Sequence, residues 1–276
     1  ILAVAAANRN PAQWQSSTGN SLLDFVAPRA AGFARQSAAS TGKLALAVAA
    51  ADLDPQQFAG LNLVISTTQY YNPGTGAYGA TVQDQALSML GLDAAGALIP
   101  AAAVQHLTGM VNANGGWGWT PGQPSDADST SVALEALVAA GQPTNSPAVV
   151  NGQAYLHTVQ QLNDDGGFAH SPDLPWAHDS NTNSTSYAIQ SILATGQDPL
   201  SAAWSISATT PITFLLGQQL TNGAFVYVNS PADLFATQQA VPALVGKPFP
   251  LASRAVSMRK ALGWIAGQQQ PDGSFA

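Results

Sequence analysis

Residues Asn112 to Gly141 read NANGGWGWTPGQPSDADSTSVALEALVAAG, and the fold follows from what this stretch repeats. A glycine turn (Asn114, Gly115, Gly116) delivers Trp117 and Trp119, and a Pro/Gly/Asp loop leads to a helix start at Asp128, Ser129 and Thr130. Asp or Ser there offers an acceptor to the orphan N–H groups of a first helical turn. Gly141 suits the left-handed residue that ends a helix.

The pattern recurs. Asn163 to Gly196 has the glycine turn, an aromatic, a loop carrying Trp176 and a helix start at Ser184-Thr185. Thr221 to Gly246 is a third copy, Pro73 to Gly91 a shortened one, and Pro271 to Ala276 one cut off by the chain end. The closing glycines at 91, 141, 196 and 246 lie 50, 55 and 50 residues apart, the spacing of stacked supersecondary units.

Between these turns, amphipathic helices alternate with uniformly apolar ones. Ala101–Val111 precedes Val132–Ala140, Val149–Leu162 precedes Ser186–Ala194, and Thr209–Leu220 precedes Leu234–Val245. Upstream, residues 12–35 read as one helix with Trp14, Leu22, Leu23, Phe25 and Phe33 on its apolar side, and Ser40-Thr41 caps Lys43–Ala51. Ser253–Gln268 is a final amphipathic helix without a following partner. A helix apolar all round belongs inside and an amphipathic one on a surface layer. Six inner starts, near 1, 43, 81, 129, 185 and 235, predict an all-α fold. Its expected form is an α/α toroid, a closed double-layered ring of about six helical hairpins. Ile1–Ala7 would complete the unit left open after Phe275. Residues 1–276 are expected to form a single domain, and the abrupt start in ILAVAAAN suggests part of a longer precursor.

Composition removes several functions. The net charge is −7, and only eight Lys and Arg are scattered over 276 residues, so no basic patch for nucleic acid or an anionic membrane exists. Cysteine is absent, which excludes disulfides, thiolate metal sites and cysteine nucleophiles. No apolar run reaches the roughly 20 residues of a membrane span. A surface built from Ser, Thr, Asn and Gln points to an extracellular or cell-surface setting.

The turns Gln161-Leu-Asn-Asp-Asp-Gly166-Gly-Phe168, Gln219-Leu-Thr-Asn-Gly223-Ala-Phe225 and Gln269-Gln-Pro-Asp-Gly273-Ser-Phe275 resemble the QW-type repeats of the squalene cyclase and prenyltransferase toroid superfamily. Within it, NGAFVYVNSPADLFATQQAVPALVGKPF, with Gln239 and Pro242, and the helix start Asn181-Thr-Asn-Ser184-Thr185 look like the α-domain of cobalamin carriers of the transcobalamin type. That resemblance implies a non-catalytic module. It would bind a cobalamin-like small molecule, or a protein partner, at a mouth lined by Tyr78, Trp117, Trp119, Phe168, Trp176, Asn181 and Gln239. Cobalamin is the cofactor it suggests.

A different chemistry is written in Asp126-Ala127-Asp128-Ser129-Thr130, which is similar to the DxDD-Thr motif of class II terpene cyclases, with Ser129 in the third acidic position. There a carboxylic acid sharpened by its neighbours protonates an alkene, which casts Asp128 as donor and Asp126 as its helper. Helix capping accounts for the same residues without chemistry. Calcium could use the alternating oxygens of Asp126, Asp128, Asp179, Asn181 and Asn183. Asp164, Asp165, Asp173 and Asp179 beside Trp176 could form a glycosidase pair or plain turns. His170 and His178 flank Trp176 and could ligate a metal, whereas His106 and His157 read as surface residues of outer helices. The zinc site of protein prenyltransferases needs a cysteine that this chain lacks.

Overall fold

The structure is a computed structural model that describes residues 1–228 and 230–251, with Ala261 and Gln270. In chain order the helices are α1 (Leu2–Ala6), α2 (Leu22–Val26), α3 (Ala30–Ala34) and α4 (Ala38–Ala50). Then come α5 (Leu63–Thr68), α6 (Val82–Ala94), α7 (Ala101–Gly109) and α8 (Ala127–Ala139). The last are α9 (Pro147–Gln160), α10 (Thr182–Ala194), α11 (Pro211–Gly217) and α12 (Leu234–Leu244), the latter preceded by a two-stranded hairpin, β1 (Phe225–Val226) and β2 (Ala232–Asp233).

The even-numbered helices from α4 to α12 pack in succession, and α1 touches both α12 and α4. This closes an inner ring of six helices, α1, α4, α6, α8, α10 and α12. The fold is the α/α toroid. Ser253–Gln268 and the turn ending at Phe275 lie outside the described residues. Burial explains the layering: α8 and α10 are buried on nearly every side, polar Ser131, Ser186 and Ser191 included. At the α4–α6 seam the backbones almost touch, since a Cβ on Gly42 would lie 2.1 Å from the carbonyl oxygen of Leu87.

One set of hydrogen bonds recurs in every complete unit. The N–H of the aromatic residue after the glycine turn donates to a side chain in the first turns of the inner helix. Trp117, Phe168 and Phe225 donate to the hydroxyls of Thr130, Thr185 and Thr237, and Tyr78 donates to the Gln85 side chain, each at 2.9 Å. The glycines at 76, 115 and 166 have φ of 77°, 86° and 78°, and a Cβ there would meet the carbonyls of Ala102, Asn151 and Thr209 at 2.1, 2.7 and 2.4 Å. The turn therefore both reverses the chain and seats against the start of the next outer helix. A glutamine ties it down, Gln219 Nε2 to the Gly223 carbonyl at 3.0 Å. In the preceding unit this residue is Gln160, bonded to Gly166 and Trp204, while Gln161 is exposed.

Several expected boundaries move for local reasons. Residues 12–35 are not one helix. An antiparallel bridge from Gln15 to Ser21 closes a loop, and Pro28, in a turn of 3-10 helix, separates α2 from α3. The helix α4 starts at Ala38 because Ser37, not Ser40 or Thr41, is its cap. Likewise Asp126 caps α8 and Asn181 caps α10, accepting from Ser129 N–H and Ser184 N–H at 2.6 and 2.8 Å. The cap is the residue three before the donated N–H, so both helices begin two to three residues earlier than their Ser/Thr pairs suggest. His157 is not a free surface residue; its ring stacks on Trp204 with centroids 3.6 Å apart.

Two glycine substitutions separate these effects. Gly196 has φ of 78° and open space around it, so Gly196→Ala is expected to cost only the backbone strain of about 1 kcal/mol. Gly166→Ala adds a collision with the Thr209 carbonyl and is expected to cost at least about twice that. Urea unfolding of the two variants beside the parent checks the order.

Candidate functional site

The inner helices α4, α6, α8, α10 and α12 are each capped by a side chain, from Ser37, Thr81, Asp126, Asn181 and Asp233 respectively. Counting from those caps puts the helices in register. The sixth residues are Lys43, Leu87, Val132, Tyr187 and Gln239, of which all but Val132 line one central cavity. The second residues are Ala39, Gln83, Asp128, Asn183 and Phe235, and the ninth are Leu46, Leu90, Glu135, Gln190 and Pro242. Phe235, Leu46 and Pro242 line the same cavity. Residues two, six and nine after a cap share one helical face, so Asp128 and Glu135 stand on the lumen-facing stripe of α8, about 10 Å apart along its axis.

The cavity has a volume of about 370 Å³ and a mostly apolar wall, with Phe249 among its lining residues. It lies in the size range of small-molecule sites. Asp128 is not part of that wall. Tyr187, one turn deeper than the Asp128 level, lines the chamber and accepts a hydrogen bond from Gln239 Nε2 at 3.2 Å. Burial, then the charge of Asp128, push the Tyr187 phenol up from its ordinary value.

The rim is assembled by a second repeated bond. The first N–H of α6, α8 and α10 donates to the carbonyl of Trp119, His170 and Tyr227 in turn, at 3.0, 2.8 and 3.0 Å. Each of these residues follows its unit's aromatic by two positions and hangs over the preceding inner helix. Over α8 that residue is His170, whose Nδ1 lies 3.6 Å from Asp128 Oδ2. Its loop is held there by Ser171, whose hydroxyl donates to the Ser125 carbonyl at 2.7 Å. The Asp128 carboxylate beside it raises the His170 pKa above its ordinary value, against the opposing effect of burial. Asp126 is pushed up to about 6, first by burial and then by the Asp128 charge, with the Ser129 N–H pulling the other way. Asp128 Oδ1 is buried without a hydrogen-bond partner among the described residues. Deeper on the same stripe, Glu135 accepts from the Phe249 N–H, and burial raises its carboxyl to about 8.

The residues expected at a shared mouth do not meet. Tyr78, Trp117 and Phe168 are core residues between the layers, and Trp176, 79% exposed, stands on the outer surface. Trp119 is half exposed on the rim, Asn181 caps α10, and only Gln239 lines the cavity. Asp165 is occupied by its own turn, accepting from Gly167 N–H and Ser180 Oγ. Among the described residues no three His, Asp or Glu side chains gather as metal ligands, and Asp179 is not gathered with Asp126 and Asp128. The His170–Asp128 pair is the feature the sequence reading missed. In sequence His170 pairs with His178 around Trp176, whereas counting two residues from Phe168 places it level with Trp119 and Tyr227.

The model of the prenyltransferase alpha-alpha toroid domain family matches residues 83–173 and 148–276. None of the curated proteins matches the sequence. Among solved structures the chain is similar to a type II terpene cyclase from Scytonema, 17% identical over 76% of this chain and 72% of that one, with a TM-score of 0.55. The same Scytonema cyclase in variant form, in complex with geranylgeranyl dihydroxybenzoate described as its substrate, aligns over 80% and 74% at 17% identity and a TM-score of 0.53. Another variant, in complex with the product merosterolic acid A, gives 18% identity over 76% and 72% and a TM-score of 0.54. These likenesses establish the fold. With the buried positions of Tyr78, Trp117 and Phe168, they also correct the expectation of a non-catalytic, cobalamin-binding module with an open aromatic mouth. The similar structures named above are catalytic toroids.

Raised pKa values carry a stability consequence. With its folded value near 6, above the ordinary 3.8, Asp126 binds its proton more tightly in the native state. Its stabilising contribution is full below pH 3.8 and is lost as the pH rises through 6. Asn caps a helix as well as Asp does, as Asn181 shows on α10. Asp126→Asn is therefore expected to stabilise the protein at pH 8 by on the order of 2 kcal/mol, with the gain vanishing below about pH 4. Thermal melts across that range check the sign.

Proposed function

Because the chain belongs to the prenyltransferase alpha-alpha toroid domain family, and because its lumen joins an acid pair to an apolar chamber, we propose that it is a class II terpene-cyclase-like enzyme. It would start cyclisation of a linear polyprenyl chain by protonating a terminal alkene. The observation that carries this reading is Asp128, on the lumen stripe of α8, with His170 against one carboxyl oxygen and the other buried without a hydrogen-bond partner among the described residues.

The step balances without a cofactor. The proton on the Asp128 carboxyl adds to the terminal carbon of the alkene, and the π pair forms the new C–H bond. The tertiary cation so formed is captured by the next double bond as a ring closes, and a proton lost from the last cation ends the sequence. His170 stands where it can stabilise the carboxylate left behind and return a proton from its ring. Asp126 holds the helix end in place and sets the local field. Aromatic faces stabilise cations, and the chamber offers Tyr187, Phe235 and Phe249 for this. In this reading the chain's tail passes beside Tyr187 to reach Asp128.

Incubation with geranylgeraniol in D₂O tests the reading. A cyclic product carrying one deuterium per initiation is expected by mass spectrometry, and Asp128→Asn is expected to lower turnover at least about a thousandfold while the protein still binds the chain. His170→Phe is expected to lower it by about 10²-fold. Undiminished cyclisation by Asp128→Asn would remove the acid from the argument.

A further inference from the structure

The cavity wall holds one feature that proton-initiated cyclisation does not use. Lys43, the sixth residue after the α4 cap, projects from the inner ring into a lining otherwise dominated by Leu, Ala, Phe and Ile. Its ammonium lies 6.0 Å from the Phe235 ring centroid. Among the described residues it has no carboxylate partner, since the single ion pair they contain is His170–Asp128. Burial without such a partner lowers the Lys43 amine from its ordinary value. The neighbouring cation, Arg29, is exposed at the cavity edge, packs on Phe25 and donates to the Phe25 carbonyl at 2.9 Å.

A desolvated charge is tolerated when something pairs with it. We propose that Lys43 recognises the carboxylate head of an amphiphilic polyprenyl acid, so that the ligand of this lumen is a linear isoprenoid with one negative charge at the end opposite its reacting alkene. The inference rests on the cyclase reading for the identity of the tail.

The geometry orients the ligand. Ring order places α4 and α8 two helices apart across the lumen, so Lys43 and Asp128 sit on different walls, with Asp128 one turn nearer the rim. A chain anchored by its head at Lys43 presents its far end toward Asp128, and the two carboxylates are kept apart. The charge count selects the head group. With the exposed Arg29 guanidinium engaged by Phe25 at the edge, the one buried amine matches one carboxylate, whereas a diphosphate would leave two or more negative charges unpaired in an apolar wall.

The test compares geranylgeranoic acid, geranylgeraniol and geranylgeranyl diphosphate on the full chain by calorimetric titration at neutral pH. The parent protein is expected to bind the acid at least tenfold more tightly than the alcohol, and more tightly than the diphosphate. Lys43→Met is expected to erase the acid's advantage while leaving the alcohol's Kd within about twofold, and Lys43→Arg to keep the advantage. Equal binding of acid and alcohol by the parent, a preference that survives in Lys43→Met, or a stronger preference for the diphosphate would each overturn the proposal. Cyclisation of acid and alcohol with no preference sinks the head-group assignment alone. Selective binding of the acid without any cyclic product sinks the cyclase reading and leaves the Lys43 pairing standing. Failure of all three chains to bind sinks both.

Discussion

The ring depends on one hydrogen bond made four times, from the backbone N–H of an aromatic residue to a side-chain oxygen near the start of an inner helix. The N–H belongs to a loop that must be buried to let the aromatic ring reach the core, and a buried N–H without a partner is strongly unfavourable. Thr130, Thr185, Thr237 and Gln85 answer that need, and in doing so they fix the distance between each glycine turn and its inner helix. With that distance fixed, Trp117 and Phe168 fill the space between layers, and the N-terminal ends of the inner helices come to one level. The level is what makes a rim.

A rim built by repetition is a place where chemistry can change without changing the fold. The backbone bonds that hold Trp119, His170 and Tyr227 over successive inner helices are the same, and each helix below is capped by a side chain, from Thr81, Asp126 and Asn181. Only the side chains differ. Over α8 alone does an imidazole meet a carboxylate, since the residues corresponding to Asp128 on α6, α10 and α12 are Gln83, Asn183 and Phe235. The acid pair is thus a local substitution on a scaffold that needs neither residue for its own stability, because the cap beneath is Asp126 and Asn181 performs that task equally well on α10.

This explains what could be read from the sequence and what could not. The repeat announced itself because glycine at positive φ and an aromatic two residues on are dictated by backbone sterics, and sterics leave a periodic mark. The closed ring was legible from the apolar opening helix, which the structure seats between α12 and α4. Tyr78, Trp117 and Phe168 misled because an aromatic after a turn looks the same whether it faces solvent or core. Burial is decided by the layer packed over it, which no single unit contains. Pro28 and the bridge at Gln15 broke the expected helix over residues 12–35 for a related reason: a local apolar pattern does not reveal where a loop closes.

Under the proposed cyclase reading, the lumen combines two demands that oppose each other. Cation chemistry needs a dry, apolar chamber, yet initiating it needs an acid, and every charge placed in such a chamber carries a desolvation penalty. The structure separates the two in depth. Asp128 stands at the rim, partly exposed and beside His170, while Tyr187, one turn deeper, lines the chamber. Glu135, which has no such relief, is held by the Phe249 N–H and raised by burial to about 8, a value at which it is neutral at physiological pH. On one face of one helix the same functional group therefore lies partly exposed beside an imidazole at the mouth and buried against a backbone N–H at the floor.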